Sequence, residues 1–298
     1  MLDPAIERWK KFLRRDPTRW LLASDDPSIL LWFQLDIAHR PEDAPAVMET
    51  RERVLFSSVA QEIFAAQNEM GYWGEAESLA QPYYRATLWN LALLAELGIP
   101  RSSRRGRLVC EFVLQSFLNG DGTFAGLNGV ESGYLIRALG YFNLARDARV
   151  VRAARALGEH IESDEEWIGA LWAWKAFEED EIVRVKIEVA LERVIQTLRG
   201  FMRQTTSLTT KVWMTFPQFD PSDELFILRV LAEYDRVGDS RVAGMIERLI
   251  GKQDGEARWM LERDLNDELL TPLERAGEPS RWVTLNALRV IVKLVRQG

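Results

Sequence analysis

Four charged residues stand in segments that are otherwise apolar, and they are the first places to look for chemistry. They are Arg85, Glu131, Arg137 and Glu224. A charge in an apolar environment must be paired or hydrogen-bonded, because its desolvation is otherwise too costly. These residues could bind a polar part of a ligand. Alternatively, they could cap helices and form structural ion pairs between neighbouring helical hairpins. Both interpretations stay open at this point.

The chain is also rich in aromatic residues, which could line a pocket. Trp, Phe and Tyr make up 10% of its 298 residues, with 11 tryptophans. Rings in such numbers serve either the interlocked core of a repeat protein or an aromatic pocket. The number of rings does not distinguish these two uses, but the helices and turns that position the rings do.

One pattern recurs along the chain: a helix, a turn that ends in an aromatic residue, and a second helix. The turns are Gln67–Trp73, Asn119–Phe124, Ser163–Trp167, a degraded version at Thr215–Pro217, and Gln253–Trp259. Their aromatic residues are spaced by 43 to 51 residues, which is typical of a two-helix repeat. Gly71, Gly122 and Gly255 are expected to end the preceding helices, because glycine adopts left-handed backbone angles at little cost.

The helices on the two sides of these turns differ in polarity. Those before a turn are amphipathic: in Arg107–Leu118, the side chains of Leu108, Phe112 and Val113 are expected to form the apolar face. Those after a turn are apolar nearly all round, as in Leu88–Leu97, Leu135–Leu144 and Val283–Val295. A helix that is apolar on every face is buried on every face. The alternation therefore predicts an outer and an inner layer of helices.

These features predict an all-α fold, and specifically an α/α toroid of about five to six helical hairpins with inner and outer helix layers. Closure into a barrel is favoured because an open solenoid would expose the apolar inner layer. Two leading helices, Asp3–Arg15 and Pro27–Ala38, precede the repeats. No linker separates them from the rest, so we expect one domain over 1–298, with leading helices in 1–45 and hairpin repeats in 46–298.

In such a barrel the N-terminal ends of the inner helices surround the mouth of a central cavity. Polar and aromatic residues at these ends are the candidates for ligand binding: Tyr84, Arg85, Trp89, Glu131, Tyr134, Arg137, Trp172, Glu224 and Trp282. The alternative is that the aromatic members of this set belong to the core.

The turn Gln67-x3-Gly71-x-Trp73 resembles the glutamine–tryptophan motif of the terpenoid cyclase and protein prenyltransferase superfamily. The whole chain resembles short bacterial proteins with these prenyltransferase/squalene oxidase repeats. The stretches that carry this resemblance are Trp20–Ser28, Tyr84–Trp89, Asp147–Val150 and Gly277–Leu288. Since these motifs are structural, the resemblance implies a fold more directly than an activity.

The resemblance also indicates which catalytic groups to look for. Class II cyclases of that superfamily protonate an alkene with an Asp-x-Asp-Asp acid, which burial and neighbouring groups must keep protonated. The nearest stretch here, Asp264-Leu265-Asn266-Asp267, has asparagine at the central position. Asp264 and Asp267, together with Asp223 at a predicted helix start, are the candidates for an unconventional acid.

Protein prenyltransferases of the superfamily bind zinc through Asp, Cys and His. Here Cys110 is expected to be a small buried residue on an amphipathic helix. His39 and His160 lack the spacing of metal ligands. We therefore predict no metal site and no cofactor.

Composition excludes several classes of function. The net charge of −7 and the lack of clustered Lys and Arg argue against a nucleic-acid surface. No window approaches the roughly 18 apolar residues of a membrane span. The absence of a signal-peptide run and the single cysteine favour a cytoplasmic location.

The favoured hypothesis is a binding protein or diverged enzyme with an aromatic-lined central pocket for an apolar ligand such as an isoprenoid. One alternative is a non-catalytic scaffold that binds a protein partner. A further alternative is a class II-type cyclase with an unconventional acid. The missing Asp-x-Asp-Asp and zinc set favour a non-catalytic role.

Overall fold

A computed structural model describes residues 8–159, 161–204 and 214–297, without the side chains of 199–204 and 297. In these ranges the chain is mostly helical, which confirms the all-α prediction. The α-helices, numbered in chain order, are α1 Thr18–Leu22, α2 Pro27–Trp32, α3 Pro45–Leu55, α4 Ser58–Ala65, α5 Thr87–Leu97, α6 Arg104–Ser116, α7 Gly129–Leu139, α8 Ala148–Ala156, α9 Asp164–Trp174, α10 Glu181–Gln204, α11 Glu224–Glu233, α12 Ala243–Gly251 and α13 Arg281–Gln297.

Short irregular elements accompany these helices. Arg8–Phe12 and Lys175–Phe177 are 3₁₀ turns, and Phe33–Ile37 and Gly140–Leu144 are π turns. Strand β1 (Trp259–Met260) pairs antiparallel with β2 (Pro279–Ser280). Among the described residues, no helix is both long and apolar enough to cross a membrane.

The chain divides into two compact units. The first unit comprises the described parts of Met1–Ser57, Ile195–Leu265 and Leu273–Gly298. The second unit comprises those of Ser58–Val194 and Asn266–Pro272. The boundary at Val194 falls inside α10. The closed barrel and the single domain over 1–298 stay predictions.

In the second unit, α7 packs between α5 and α9. Every residue of α5 except Glu96 is buried, as the all-round apolar pattern predicts. A Cβ atom on Gly133 of α7 would lie 2.5 Å from the carbonyl oxygen of Gly169 in α9. The two backbones can therefore approach this closely only with glycine at the crossing. Helices α4, α6 and α8 each bury one face, so this unit has the two kinds of helix that the sequence predicts.

The buried face of α6 differs from the prediction. It consists of Val109, Cys110, Val113 and Leu114. Leu108 is 44% exposed, so its predicted place on the buried face was wrong. The reason is local: Leu108 covers Gly71 of the preceding turn, and the neighbouring ring of Phe112 stacks on Tyr72 with centroids 4.7 Å apart.

In the first unit, α13 packs against α2, α11 and β1. Helix α11 is buried at every position from Glu224 to Ala232. Of the predicted leading helices, Pro27–Ala38 corresponds to α2 and the π turn that follows it. The first one, Asp3–Arg15, is a 3₁₀ turn over Arg8–Phe12, and its residues before Arg8 lie outside the described residues.

The turn predicted at Ser163–Trp167 was wrong, because Trp167 lies in the first helical turn of α9. Ser163 accepts a hydrogen bond from the backbone N–H of Glu166, and the Glu166 side chain accepts one from the Ser163 backbone. This capping box starts the helix before Trp167 is reached.

Candidate ligand site

The turn Gln67–Trp73 fixes the entrance to α5 through its side chains. Gln67 Nε2 donates to the Gly71 carbonyl at 2.9 Å, and Trp73 Nε1 donates to the Ile63 carbonyl at 2.7 Å. The Trp73 backbone N–H donates to Thr87 Oγ1 at 3.0 Å. The turn therefore ties the end of α4 to the first residue of α5.

The turn Gln253–Trp259 of the first unit repeats the Trp and Thr contacts of this arrangement, but its Gln side chain has a different acceptor. Gln253 Nε2 donates to the Ile250 carbonyl at 2.9 Å, and Trp259 Nε1 donates to the Leu249 carbonyl at 2.7 Å. The Trp259 backbone N–H donates to Thr284 Oγ1 at 3.0 Å. Two turns that are far apart in the sequence thus use the same Trp and Thr contacts, as expected of a repeat, whereas their Gln side chains donate to carbonyls at different positions.

The glycines of these turns were predicted to end the preceding helices, which was wrong, because α4, α6 and α12 end at Ala65, Ser116 and Gly251. Their predicted left-handed angles were correct in two cases and wrong in one. Gly71 and Gly122 have φ angles of +96° and +95°. In the last turn the corresponding residue is Ala257, with φ +56°, and not Gly255. The backbone bond from Asp254 N–H to the Arg258 carbonyl matches the one from Asn68 N–H to the Tyr72 carbonyl. This match places Ala257 where Gly71 lies.

Four aromatic side chains meet at the start of α5 and form what we call the aromatic cluster: Tyr83, Tyr84, Trp89 and Tyr134. The centroids of Tyr83 and Tyr84 are 4.5 Å apart, and each lies within 5.1 Å of Trp89. Tyr134 of α7 extends the cluster at 6.1 Å from Trp89. Trp89 is buried and donates its indole N–H to the Ala80 carbonyl at 2.9 Å. Tyr83 is 45% exposed.

The rings of the aromatic cluster are in contact and tilted by 53° to 68°. Aromatic pairs prefer this edge-to-face arrangement. At these separations a ligand has no room between Tyr83, Tyr84 and Trp89. It could lie only against the outer faces of the tyrosines.

Arg85 does not lie in an apolar helix, because α5 begins two residues later. Its side chain is exposed. It donates from Nη2 to the Asp267 carbonyl at 2.8 Å and from Nε to the Glu268 carbonyl at 3.0 Å. Arg85 thus holds the distant segment Asn266–Pro272 within the second unit.

The other charged candidates of the second unit have local structural partners. Glu131 completes a capping box with Asn128 at the start of α7. The Arg137 guanidinium lies over the Trp172 ring, 4.2 Å from its centroid. Cation–π contacts of this kind stabilise neighbouring helices, here α7 and α9. These contacts fit the structural interpretation of the charges.

Asp223 caps α11 in the first unit and is 3% exposed. Its Oδ1 accepts from the backbone N–H of Leu225 and Phe226. Its Oδ2 accepts from the backbone N–H and the hydroxyl of Thr215. Burial raises the pKa of Asp223 to about 7, although these hydrogen bonds favour the carboxylate.

Glu224, the next residue, forms an ion pair with Arg248, whose Nε lies 3.0 Å from Glu224 Oε1. Burial raises the pKa of Glu224 despite this partner. Trp282, the last aromatic candidate, stacks on Phe216 with centroids 4.0 Å apart and an angle of 6°. Its indole N–H donates to Asp26 Oδ2 at 3.2 Å.

Sequence reasoning missed Asp26 and Glu274, two further carboxyls near Trp282 whose pKa values burial raises. Asp26 caps α2 by accepting from the Ser28 N–H. Glu274 accepts from the Arg281 N–H at the start of α13. Asp26 could have been identified as a helix cap before Pro27. Nothing in the sequence around Glu274 indicates its contact with α13.

The two candidate acids after residue 260, Asp264 and Asp267, differ in how far their side chains are buried. Asp264 is half-buried, and its Oδ2 accepts from the Ala276 N–H at 2.7 Å. Asp267 is exposed. An alkene-protonating acid needs a buried carboxyl that stays protonated, and the exposed Asp267 side chain lacks that environment.

The thiol of Cys110 is buried, and burial raises its pKa to about 12. It is therefore not a reactive thiolate at neutral pH. Among the described residues, no three His, Cys, Asp or Glu side chains are grouped as metal ligands. His160 lies outside the described residues.

No protein-family model, no curated protein and no solved structure matches the chain.

Proposed function

We propose that the chain forms an α/α toroid of the terpenoid cyclase and protein prenyltransferase type and binds an apolar ligand such as a linear isoprenoid without turning it over. The aromatic cluster is the observation that carries the proposal. It presents tyrosine rings to solvent beside Trp89, at the start of a helix that is buried at every residue except Glu96.

Two features of the described residues support the toroid. Trp73 and Trp259, which end the Gln67–Trp73 and Gln253–Trp259 turns, make matching hydrogen bonds from the indole N–H and from the backbone N–H, as expected of a repeat. Within the second unit, buried helices alternate with one-sided helices along the chain. A repeat of this kind buries its apolar helices by stacking hairpins side by side.

The aromatic surface suits an isoprenoid for a physical reason. An isoprenoid chain offers only apolar area and π electrons, so it gains free energy from ring faces and from leaving water. Tyr83 and Tyr84 provide such faces and keep hydroxyl groups that tolerate water. The charged candidates Arg137 and Glu131 have structural partners, which fits an apolar ligand better than a polar one.

Tryptophan fluorescence during titration with farnesol, a linear isoprenoid alcohol, tests the proposal. We expect saturable quenching, and Tyr83→Ala should raise the dissociation constant about tenfold, which corresponds to about 1.4 kcal/mol. The matched control is Met70→Ala, which truncates another exposed apolar side chain of the same unit (67% exposed). The absence of saturable binding to the wild-type chain, or equal effects of both variants, would overturn the proposal.

A class II-type cyclase is the second candidate, and the burial of Asp223 favours it. A carboxyl whose pKa is raised to about 7 is partly protonated at neutral pH, as an alkene-protonating acid must be. The four donors that bind its carboxylate favour a capping role instead. Product analysis after incubation with linear isoprenoids distinguishes the two: turnover that Asp223→Asn abolishes would establish the cyclase.

The scaffold hypothesis is supported by the close packing of the aromatic cluster, since rings that contact one another leave no cavity for a ligand between them. It predicts no farnesol binding and an interaction with a protein at another surface. The fluorescence titration therefore separates it from the ligand-binding proposal.

A further inference from the structure

Helix α10 carries a second apolar face that its own unit does not cover. Its buried face includes Val183, Ile187 and Ala190. On another side of the helix, Ile182, Val185 and Val189 are 49%, 66% and 59% exposed. We call these three residues the α10 stripe.

The α10 stripe is costly for an isolated surface helix. Valine and isoleucine lose side-chain freedom in a helix, so Lys, Glu or Ala at the same positions would favour the helix more. Exposed side chains also gain nothing from burial. A stripe of β-branched residues becomes favourable when another surface covers it.

The spacing of the three residues indicates that a second helix packs against the stripe. Ile182, Val185 and Val189 are separated by three and four residues, which are the intervals between a, d and a positions of a coiled coil. Ile182 and Val189 are the β-branched residues that a positions of two-stranded coiled coils prefer, although Val185 stands at d where such pairs prefer leucine. We propose that α10 forms a parallel homodimer in which the α10 stripe packs in register against the α10 stripe of a second copy.

The charges beside the stripe select both the partner and its orientation. With Ile182 at position a, Glu181 and Glu188 occupy g positions on one flank, and Lys186 and Arg193 occupy e positions on the other. In a parallel pair each g residue faces the e residue five positions later on the partner. Glu181 would then face Lys186 of the second copy, and Glu188 would face Arg193. An antiparallel pair would bring like charges together.

The ion pairs of the basic flank within its own unit are long, and the Arg193 guanidinium also lies over the Trp167 ring, 5.6 Å from its centroid. Lys186 lies 3.9 Å from Glu159, and Arg193 lies 3.8 Å from Asp164. Long ion pairs at the surface contribute little free energy, so exchanging them for pairs across a dimer costs little. Lys186 also donates to the Arg155 carbonyl, which leaves Glu188 and Arg193 as the better pair to test.

The stripe is short, because Glu192 stands at the next d position. Stable interfaces bury about 800 Å² on each partner, which three side chains cannot supply. We therefore expect a weak dimer, with a micromolar dissociation constant.

Sedimentation equilibrium of the full chain over a range of concentrations tests the dimer. The mass should rise from 34.3 kDa toward twice that value, and Val185→Lys with Val189→Lys should keep the chain monomeric. Met48→Lys, which changes another exposed apolar residue on a helix (57% exposed), should leave the association unchanged. A wild-type chain that stays monomeric throughout, or a double variant that still dimerises, would overturn the proposal.

A charge exchange tests the pairing between Glu188 and Arg193. The single variants Glu188→Lys and Arg193→Glu should each dimerise several-fold more weakly, because like charges then face each other. Mixing the two variants restores opposite charges and should recover the association. If the mixture associates no better than either variant alone, the charges do not pair across the interface.

Oxidative cross-linking tests the orientation. In a parallel pair Ile182 lies beside Ile182 of the second copy, so Ile182→Cys should form a disulfide within the dimer. The native Cys110 is 1% exposed and should not interfere. Cross-linking that occurs only when Val185→Cys is mixed with Val189→Cys would indicate an antiparallel pair, in which a positions face d positions, and overturn the parallel one.

Discussion

Two turns of the first unit are held by hydrogen bonds to different kinds of acceptor. At Gln253–Trp259 the backbone N–H of Trp259 is held by the neutral hydroxyl of Thr284. At Thr215–Pro217, the degraded version of the turn, Thr215 donates its N–H and its hydroxyl to the buried carboxyl of Asp223. Phe216 cannot donate from its ring and stacks on Trp282 instead. A turn that loses its Gln and Trp can therefore persist, but an ionisable group then stabilises it.

The largest expected effect comes from removing the ring of the intact turn. Trp259 is fully buried and its indole N–H is hydrogen-bonded. Trp259→Ala should lower the free energy of unfolding by about 3–5 kcal/mol, since it leaves a cavity and an unpaired carbonyl. Urea unfolding followed by circular dichroism measures the change. Trp73→Ala, the matched change in the second unit, should cost a similar amount if the two turns are equivalent.

The degraded turn should respond to pH, and the intact turn should not. Because burial raises the pKa of Asp223 to about 7 from 3.8, the folded chain binds more protons at this group than the unfolded chain between these values. The stability contributed by Asp223 is therefore complete below about pH 4 and is lost as the pH rises to 7.

Comparing the wild-type chain with Asp223→Asn isolates this dependence, since asparagine also caps helices but does not titrate. The difference in unfolding free energy, wild type minus variant, should fall by roughly 2–4 kcal/mol between pH 4 and 7. Urea titrations at several pH values measure it. A constant difference would show that Asp223 is ionised throughout.

The hydroxyl of the intact turn provides a smaller and pH-independent effect. Thr284→Val keeps the volume but leaves the buried Trp259 N–H without its acceptor, so it should cost about 1–3 kcal/mol. Thr284→Ser retains the hydroxyl and should restore part of that loss. Equal unfolding free energies for the two variants would mean that the hydrogen bond contributes nothing.

The smallest effect concerns the left-handed residue. Gly71→Ala should destabilise by about 1–2 kcal/mol, because φ is +96° and the new Cβ would lie 2.7 Å from Leu108 Cγ. Ala257 already adopts φ +56°, so Ala257→Gly should change the free energy of unfolding by less than about 1 kcal/mol. Glycine relieves backbone strain in the folded chain, but it also increases the conformational entropy of the unfolded chain, and the two effects oppose each other. Thermal unfolding of both variants compares the turns directly.

Local signals explain what the sequence predicted well. The apolar run at Leu88–Leu97 became the buried helix α5, and the run at Val283–Val295 became α13, which is buried from Trp282 to Leu288 and half-buried at Arg289 and from Lys293 to Val295. Gly71 and Gly122 took left-handed angles because their turns require them. The aromatic residues Tyr84, Trp89 and Tyr134 came together at the start of α5.

Other features depend on contacts between distant residues, which one sequence does not reveal. Glu274 caps α13 from outside the helix, and Arg85 bonds carbonyls more than 180 residues away. Ala257 replaced the expected glycine because the turn geometry, and not the residue type, selects the left-handed position. Trp167 was misplaced because a capping box outweighed the spacing of the aromatic residues.

The segment Asn266–Pro272 gives the second unit a discontinuous sequence. It is tied there by Arg85 and by the hydroxyl of Thr271, which donates to Glu62 Oε2 at 2.5 Å. A gene fragment that encodes only residues 58–194 would therefore lack one of the unit's own pieces. Expressing the second unit alone requires fusing 266–272 to the fragment through a new linker, since no single cut in the chain separates the two units.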